Sequence, residues 1–124
     1  MIVLDSCVLI AFADPADGFH EDAKRILTTA DNLAISALGG AEIMVHASSA
    51  QRESWLRMLR AFSIEVVSLT ADDMSAIART RQETGLKMPD ALVIWLADTR
   101  HGTVASFDQR LLAAAQQRGL AVIR

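Results

Sequence analysis

The stretch Met1-Ile2-Val3-Leu4-Asp5-Ser6 decides how the rest of the chain is read. Ile2, Val3 and Leu4 form a short, wholly apolar and largely β-branched run. Such a run marks a central strand buried on both faces, as strands of parallel sheets are. It ends abruptly in a carboxylate and a hydroxyl. In open α/β sheets, ligands bind in the crevice outside the carboxyl ends of the strands, which is where Asp5 would lie. The alternative is local: Asp5 or Ser6 caps a helix that starts near Cys7. The choice depends on whether other acids reach the same edge.

Downstream, helices and short strands alternate. Residues 6–13 read as an apolar helix, and Asp14-Pro15-Ala16-Asp17-Gly18 as a break. A helix over 20–30 turns Ala23, Ile26 and Leu27 inward. Leu33-Ala34-Ile35-Ser36 reads as a second strand, followed by the small-residue passage Ala37-Leu38-Gly39-Gly40-Ala41-Glu42 into the start of another helix. Residues 49–62 form the clearest helix, with Trp55, Leu56, Leu59 and Phe62 on one face and Arg52, Arg57 and Arg60 largely off it. A third strand is expected over 64–69. Thr70 and Asp73 then make a capping box for a helix with Met74, Ile77 and Ala78 inward and Gly85 as its stop. Pro89 suits the first turn of the next helix, whose residues 91–97 are apolar all round and therefore buried. Strands over 103–107 and 120–123 flank a last helix over 109–118. This alternation predicts one α/β domain over residues 1–124, with a mostly parallel central sheet flanked by helices on both faces.

Composition narrows the class. An apolar fraction of 52% against 22% charged residues describes a globular chain with a real core. No run of apolar residues is long enough to span a membrane. The first residues lack a basic, cleavable leader, and the single Cys7 cannot form an internal disulfide, so a cytoplasmic protein is expected. The net charge of −3 argues mildly against nucleic acid. Setting aside four acids as ligands leaves 11 acids against 12 bases, and the remaining surface is then not hostile to phosphate.

Four acids fall at strand ends or helix starts. Asp5 ends the first strand, Glu42 follows the second by six residues, Asp90 lies beside Pro89 in the first turn of the buried helix, and Asp108 ends the fourth strand. Each has an ordinary reading as a cap or first-turn acid. In a parallel sheet, however, the acids after strands gather at one edge. Two unit charges about 4 Å apart repel by about 4 kcal/mol at an effective dielectric of about 20. A cluster of carboxylates therefore needs protons or a cation. Oxygen ligands without Cys or His suit Mg²⁺ or Mn²⁺, and helix N-termini at Glu42 and Asp90 would help keep those acids ionised. Metal-assisted phosphodiester hydrolysis is the chemistry such a site serves. His46, four residues after Glu42, falls on the same face if the helix continues, and Lys87 borders Asp90. Trp55 and Trp95 read as core.

The motifs Ile2-Val3-Leu4-Asp5-Ser6 with Val8-Leu9-Ile10, Ile35-Ser36 then Ala41-Glu42, Lys87-Met88-Pro89-Asp90-Ala91-Leu92-Val93, and Ser106-Phe107-Asp108 together resemble a PIN-domain ribonuclease, specifically a VapC-type toxin of a type II toxin–antitoxin pair. They span residues 2 to 108 in the family's order. The resemblance implies that Asp5, Glu42, Asp90 and Asp108 form the acidic, metal-holding site, with Ser6 at the family's hydroxyl position and Ser106 in a supporting polar position. It implies Mg²⁺- or Mn²⁺-dependent endoribonuclease activity leaving a 5′-phosphate and a 3′-hydroxyl. It also implies a homodimer and a VapB-type antitoxin whose tail occupies the groove. Met88 stands where the family often has leucine, and two glycines precede Glu42 where such toxins vary. The competing class is a catalytically inactive PIN-like protein that binds RNA or a partner, for which Asp5 and Asp90 would be dispensable. A phosphatase or phosphotransfer domain using Asp5 as nucleophile would want a second acid two residues on, where Cys7 stands.

Overall fold

In a computed structural model covering residues 1–124, five strands and seven α-helices alternate along the chain. The order is β1 (Ile2–Leu4), α1 (Ser6–Ala13), α2 (His20–Thr29), β2 (Leu33–Ser36), α3 (Ala37–Ile43), α4 (Ser49–Ala61), β3 (Glu65–Val67), α5 (Met74–Thr84), α6 (Met88–Arg100), β4 (Thr103–Ala105), α7 (Gln109–Gln117) and β5 (Val122–Ile123). All five strands are parallel, in the order β3-β2-β1-β4-β5. The expected α/β architecture is therefore present, and the sheet is wholly parallel.

The apolar run that opens the chain becomes the central strand because both of its faces can be buried. Val3 faces one core and Leu4 the other, each 1% exposed. On one side Val3, Ala34 and Val104 pack against α6 and α7 through Leu92, Ile94, Leu96 and Leu111. On the other, Leu4, Leu33 and Ile35 pack against α1, α2 and α4 through Val8, Leu9, Ile26, Leu27 and Leu59. Residues 91–97 of α6 are all buried, as a helix apolar all round requires. The chain steps outward from β1 to β3 on one side, then returns to place β4 and β5 on the other. The direction reverses between β1 and β4, so the crevice at their carboxyl ends is the switch point of the sheet.

Two helix faces differ from the sequence-based expectation. The Thr70–Asp73 capping box is present, with Thr70 N–H donating to Asp73 Oδ2 at 2.9 Å. It opens a tight 3₁₀ turn, Ala71–Asp73, before α5 begins. That turn winds faster than an α-helix and rotates the face that follows. Met74 is 68% exposed and Ala78 is also exposed, while Ile77, Thr80 and Thr84 turn inward. In α4 the inward stripe is Trp55, Met58, Leu59 and Phe62, at the i, i+3, i+4, i+7 spacing, and Leu56 lies off it. Strands β3, β4 and β5 are each shorter than expected, at Glu65–Val67, Thr103–Ala105 and Val122–Ile123.

The first of the two glycines before Glu42 also has a structural reason. Ser36 ends β2 and caps α3 at once, its Oγ accepting from Gly39 N–H at 3.0 Å. A Cβ on Gly39 would lie 2.9 Å from Ile35 Cγ1. Only glycine lets α3 fold back this closely on its own strand.

Candidate active site

Asp5 leaves β1 at the switch point and occupies the N-cap of α1, yet its carboxylate makes no capping bond. This answers the local reading of that residue. The side chain instead points across the crevice to the end of β4. Its Oδ2 accepts a 2.7 Å hydrogen bond from Ser106 Oγ and a 3.1 Å bond from Cys7 Sγ. Asp5 is only 8% exposed and Ser106 is fully buried. The Ser106 hydroxyl also accepts from Asp108 N–H at 3.0 Å. One buried hydroxyl therefore ties the acid after β1 to the acid after β4.

Asp108 follows β4 at the same edge. It caps α7, with Oδ1 accepting from the N–H groups of Arg110 and Leu111 at 2.9 and 3.2 Å. Its Oδ2 accepts from no backbone donor of that cap. Asp90 is the third residue of α6, following Met88 and Pro89, and is half-buried. Ser6 opens α1, half-buried beside Asp5.

Glu42 departs from the expectation of a helix start. Because Ser36 caps α3 directly after β2, Glu42 lies in the last turn of that short helix. The helix dipole there disfavours a negative charge instead of helping it. For the same reason His46 does not share a helical face with Glu42, since α3 ends at Ile43 and His46 follows in a turn. Met88, not Pro89, is the first residue of α6.

The acids sense one another. The Glu42 carboxyl is pushed above its ordinary range by partial burial and by the charges of Asp5 and Asp90. Asp90 is pushed up by burial and by Asp5 and Asp108, against the opposing pull of Lys87 and Arg110. Burial and the like charges thus outweigh the favourable dipole at the start of α6. The Cys7 thiol is pushed up to about 12, first by burial and then by Asp5, so it stays protonated at neutral pH. No three of the Asp, Glu, His and Cys side chains converge closely enough to form a ready-made metal cage.

The family model described as the PIN domain matches residues 2–117. This chain belongs to the PIN-domain family. No curated protein matches it. Among solved structures, it resembles a toxin–antitoxin complex from Klebsiella pneumoniae at 23% identity and a TM-score of 0.76, covering 100% of this chain and 97% of that one. It also resembles Mycobacterium tuberculosis VapC20, described as a sarcin–ricin loop cleaving toxin, at 16% identity and a TM-score of 0.73, covering 92% and 95%. FitAcB from Neisseria gonorrhoeae matches at 18% identity and a TM-score of 0.70, covering 100% and 97%. At these identities the likeness is one of fold.

Two cavities open beside α1 of this PIN domain. One, of about 420 Å³, lies between α1, the end of α3 and α4, with Ile43, His46, Trp55 and Met58 on its walls. The other, of about 300 Å³, lies between α1, the α1–α2 loop and the end of β4, with Cys7, Phe19, Phe107 and Asp108 on its walls. Cys7, in α1, packs against the core on the side of Leu4. It is half-buried and bonded to Asp5. Its position two residues after the strand-end acid is the one sequence signal of that contact. No helix is long and apolar enough to cross a membrane.

Proposed function

We propose that this PIN domain is a VapC-type toxin, an endoribonuclease that uses Mg²⁺ or Mn²⁺ to hydrolyse RNA phosphodiester bonds and is held in check by a VapB-type antitoxin. The observation that carries this reading is the set Asp5, Glu42, Asp90 and Asp108 around the switch point, where burial and the neighbouring charges push up the carboxyls of Glu42 and Asp90. The donor set fits a hard cation. It offers carboxylate oxygens, and the one nearby sulfur is a thiol held protonated instead of a thiolate ligand. Mg²⁺ takes one or two carboxylates and keeps several waters.

Asp5, Glu42, Asp90 and Asp108 would hold the metal. When bound, the cation lowers the pKa of water and screens charge on the phosphate. The chain's own groups do the rest. Ser106 fixes Asp5 by one oxygen and leaves Oδ1 without a protein donor. The α7 cap fixes Asp108 in the same way and leaves Oδ2 uncommitted. Burial and like-charged neighbours favour proton uptake by Glu42 and Asp90, which suits the acceptance of a proton from attacking water. Lys87 and Arg110, whose charges reach Asp90, offer cationic groups to a phosphate oxygen. Attack by water on phosphorus breaks the bond to the 3′-oxygen, which takes up a proton. A 5′-phosphate and a 3′-hydroxyl result. A homodimer in the cytoplasm, with the antitoxin covering the acidic groove, completes the reading.

The test is cleavage of total cellular RNA by the antitoxin-free protein with Mg²⁺ or Mn²⁺, with EDTA, and with Asp5→Asn. Discrete fragments that need both metal and Asp5 are expected. Intact RNA with folded, metal-replete protein would move the protein to the binding-only class.

A further inference from the structure

We propose that Phe19 and the cavity beside it form a subsite that stacks one unpaired RNA base next to the cleaved phosphate. This rests on the ribonuclease reading and adds the feature of the substrate that the protein grips. The cavity is about 300 Å³, at the small end for ligand sites and suited to a single base instead of a duplex. Its walls include Cys7 and Asp108, and Cys7 is bonded to Asp5. The cavity is therefore continuous with the acidic edge.

Its aromatic wall is built as a stack. The Phe19 and Phe107 rings lie 4.6 Å apart between centroids and only 6° from parallel. Phe107 packs back onto the core beside α1, whereas Phe19 is 48% exposed. Ile10, on the same rim, is 47% exposed. A two-ring stack thus ends in an open ring beside a site for phosphodiesters. Base–aromatic stacking suits this arrangement, because every base has a π-face and recognition of RNA favours unstacked bases.

The ring is also set in advance. Asp14 Oδ1 accepts from Ala16 N–H at 3.0 Å, and Asp17 Oδ1 accepts from Phe19 N–H at 2.8 Å. These bonds shape the loop that delivers Phe19 to the start of α2. Little ordering is left for the loop to undergo when RNA arrives. Asp17 also lines the cavity, and a carboxylate there accepts hydrogen bonds from exocyclic amino groups. Adenine, guanine and cytosine carry such a group and uracil does not, so an amino-bearing base is favoured.

The test uses short single-stranded oligoribonucleotides spanning a mapped cleavage position, or of mixed sequence if none is found. Binding is measured by anisotropy in an Asp90→Asn background, and cleavage in the otherwise native protein. Phe19→Ala should raise Kd about 5- to 150-fold, the range of one stacked base. Phe19→Leu, which keeps apolar bulk without a π-face, should lose comparably, and Phe19→Trp should not. Removing the base at the gripped nucleotide should weaken the native ring and add little in Phe19→Ala. Circular dichroism and Tm establish that each variant is folded. Cleavage and binding unchanged in Phe19→Ala would overturn the subsite and leave the ribonuclease standing. Unchanged cleavage with lost capture by the antitoxin would assign the ring to a protein partner and overturn it too. Failure of every folded variant, native ring included, to bind or cleave RNA would overturn both readings.

Discussion

Replacing Ser106 by alanine removes a single oxygen from the centre of the acidic edge. That oxygen is fully buried, donates to Asp5 Oδ2 at 2.7 Å and accepts from Asp108 N–H at 3.0 Å. No buried side-chain polar atom lacks a partner in the native structure. After the change, Asp5 keeps only the weak thiol of Cys7 on that oxygen, and the Asp108 N–H loses its acceptor. A hydrogen bond to a charged group contributes about 1.5–3 kcal/mol and a neutral one about 0.5–1.5, so the loss comes to about 2–4 kcal/mol. At about 4 °C per kcal/mol for a domain of this size, Tm should fall by about 8–16 °C. Urea and thermal unfolding at neutral pH with EDTA measure this without metal. Ser106→Cys, which keeps the volume and a feeble donor, should fall between. In an Asp5→Asn background the same change should cost less by about 1 kcal/mol or more, because the charged partner is gone. A Tm within about 2 °C of native, or an identical cost in both backgrounds, would refute the claim that this hydroxyl holds the Asp5 charge.

Mg²⁺ or Mn²⁺ should raise Tm of the free protein, by about 2.7 kcal/mol of stability at a hundredfold excess over Kd, and Asp90→Asn should blunt that response. Equal responses would refute the metal site. The pH dependence follows from the raised pKa of Asp90, whose folded value lies above the ordinary 3.8. Its contribution to stability is fully present below the unfolded value and is lost as pH rises through the folded value. Metal-free Asp90→Asn should therefore exceed native Tm at pH 7, with the gap closing as pH falls toward 3.8. Gly39→Ala places a Cβ 2.9 Å from Ile35 Cγ1, and such overpacking should cost about 1–3 kcal/mol in denaturation experiments while disturbing the helix that carries Glu42. Ile94→Ala empties a fully buried position in α6 and should cost about 2–5 kcal/mol with no direct effect on the acids.

The sequence alone carried the local logic of this protein. Ile2-Val3-Leu4 is apolar at successive positions, so its strand has to be buried on both faces, and the regular alternation of strands with helices then implies a parallel sheet. The uniformly apolar residues 91–97 fixed α6 as a buried helix, and Gly85, at φ 68°, fixed the end of α5. The motifs around Asp5, Glu42, Asp90 and Asp108 resemble the PIN family, and the family model matches residues 2–117. Local pattern could not assign helix phase where a capping box opens a 3₁₀ turn, and so it turned Met74 inward. Nor could it show that Ser36 caps α3 at once, which moves Glu42 from the first turn to the last. What only the tertiary structure decided are relations between distant residues. The bond from Ser106 to Asp5 joins positions 101 residues apart, and the Phe19–Phe107 stack joins α2 to the end of β4. Such contacts depend on which strands become neighbours, and it is the pairing of β4 with β1 that brings both about.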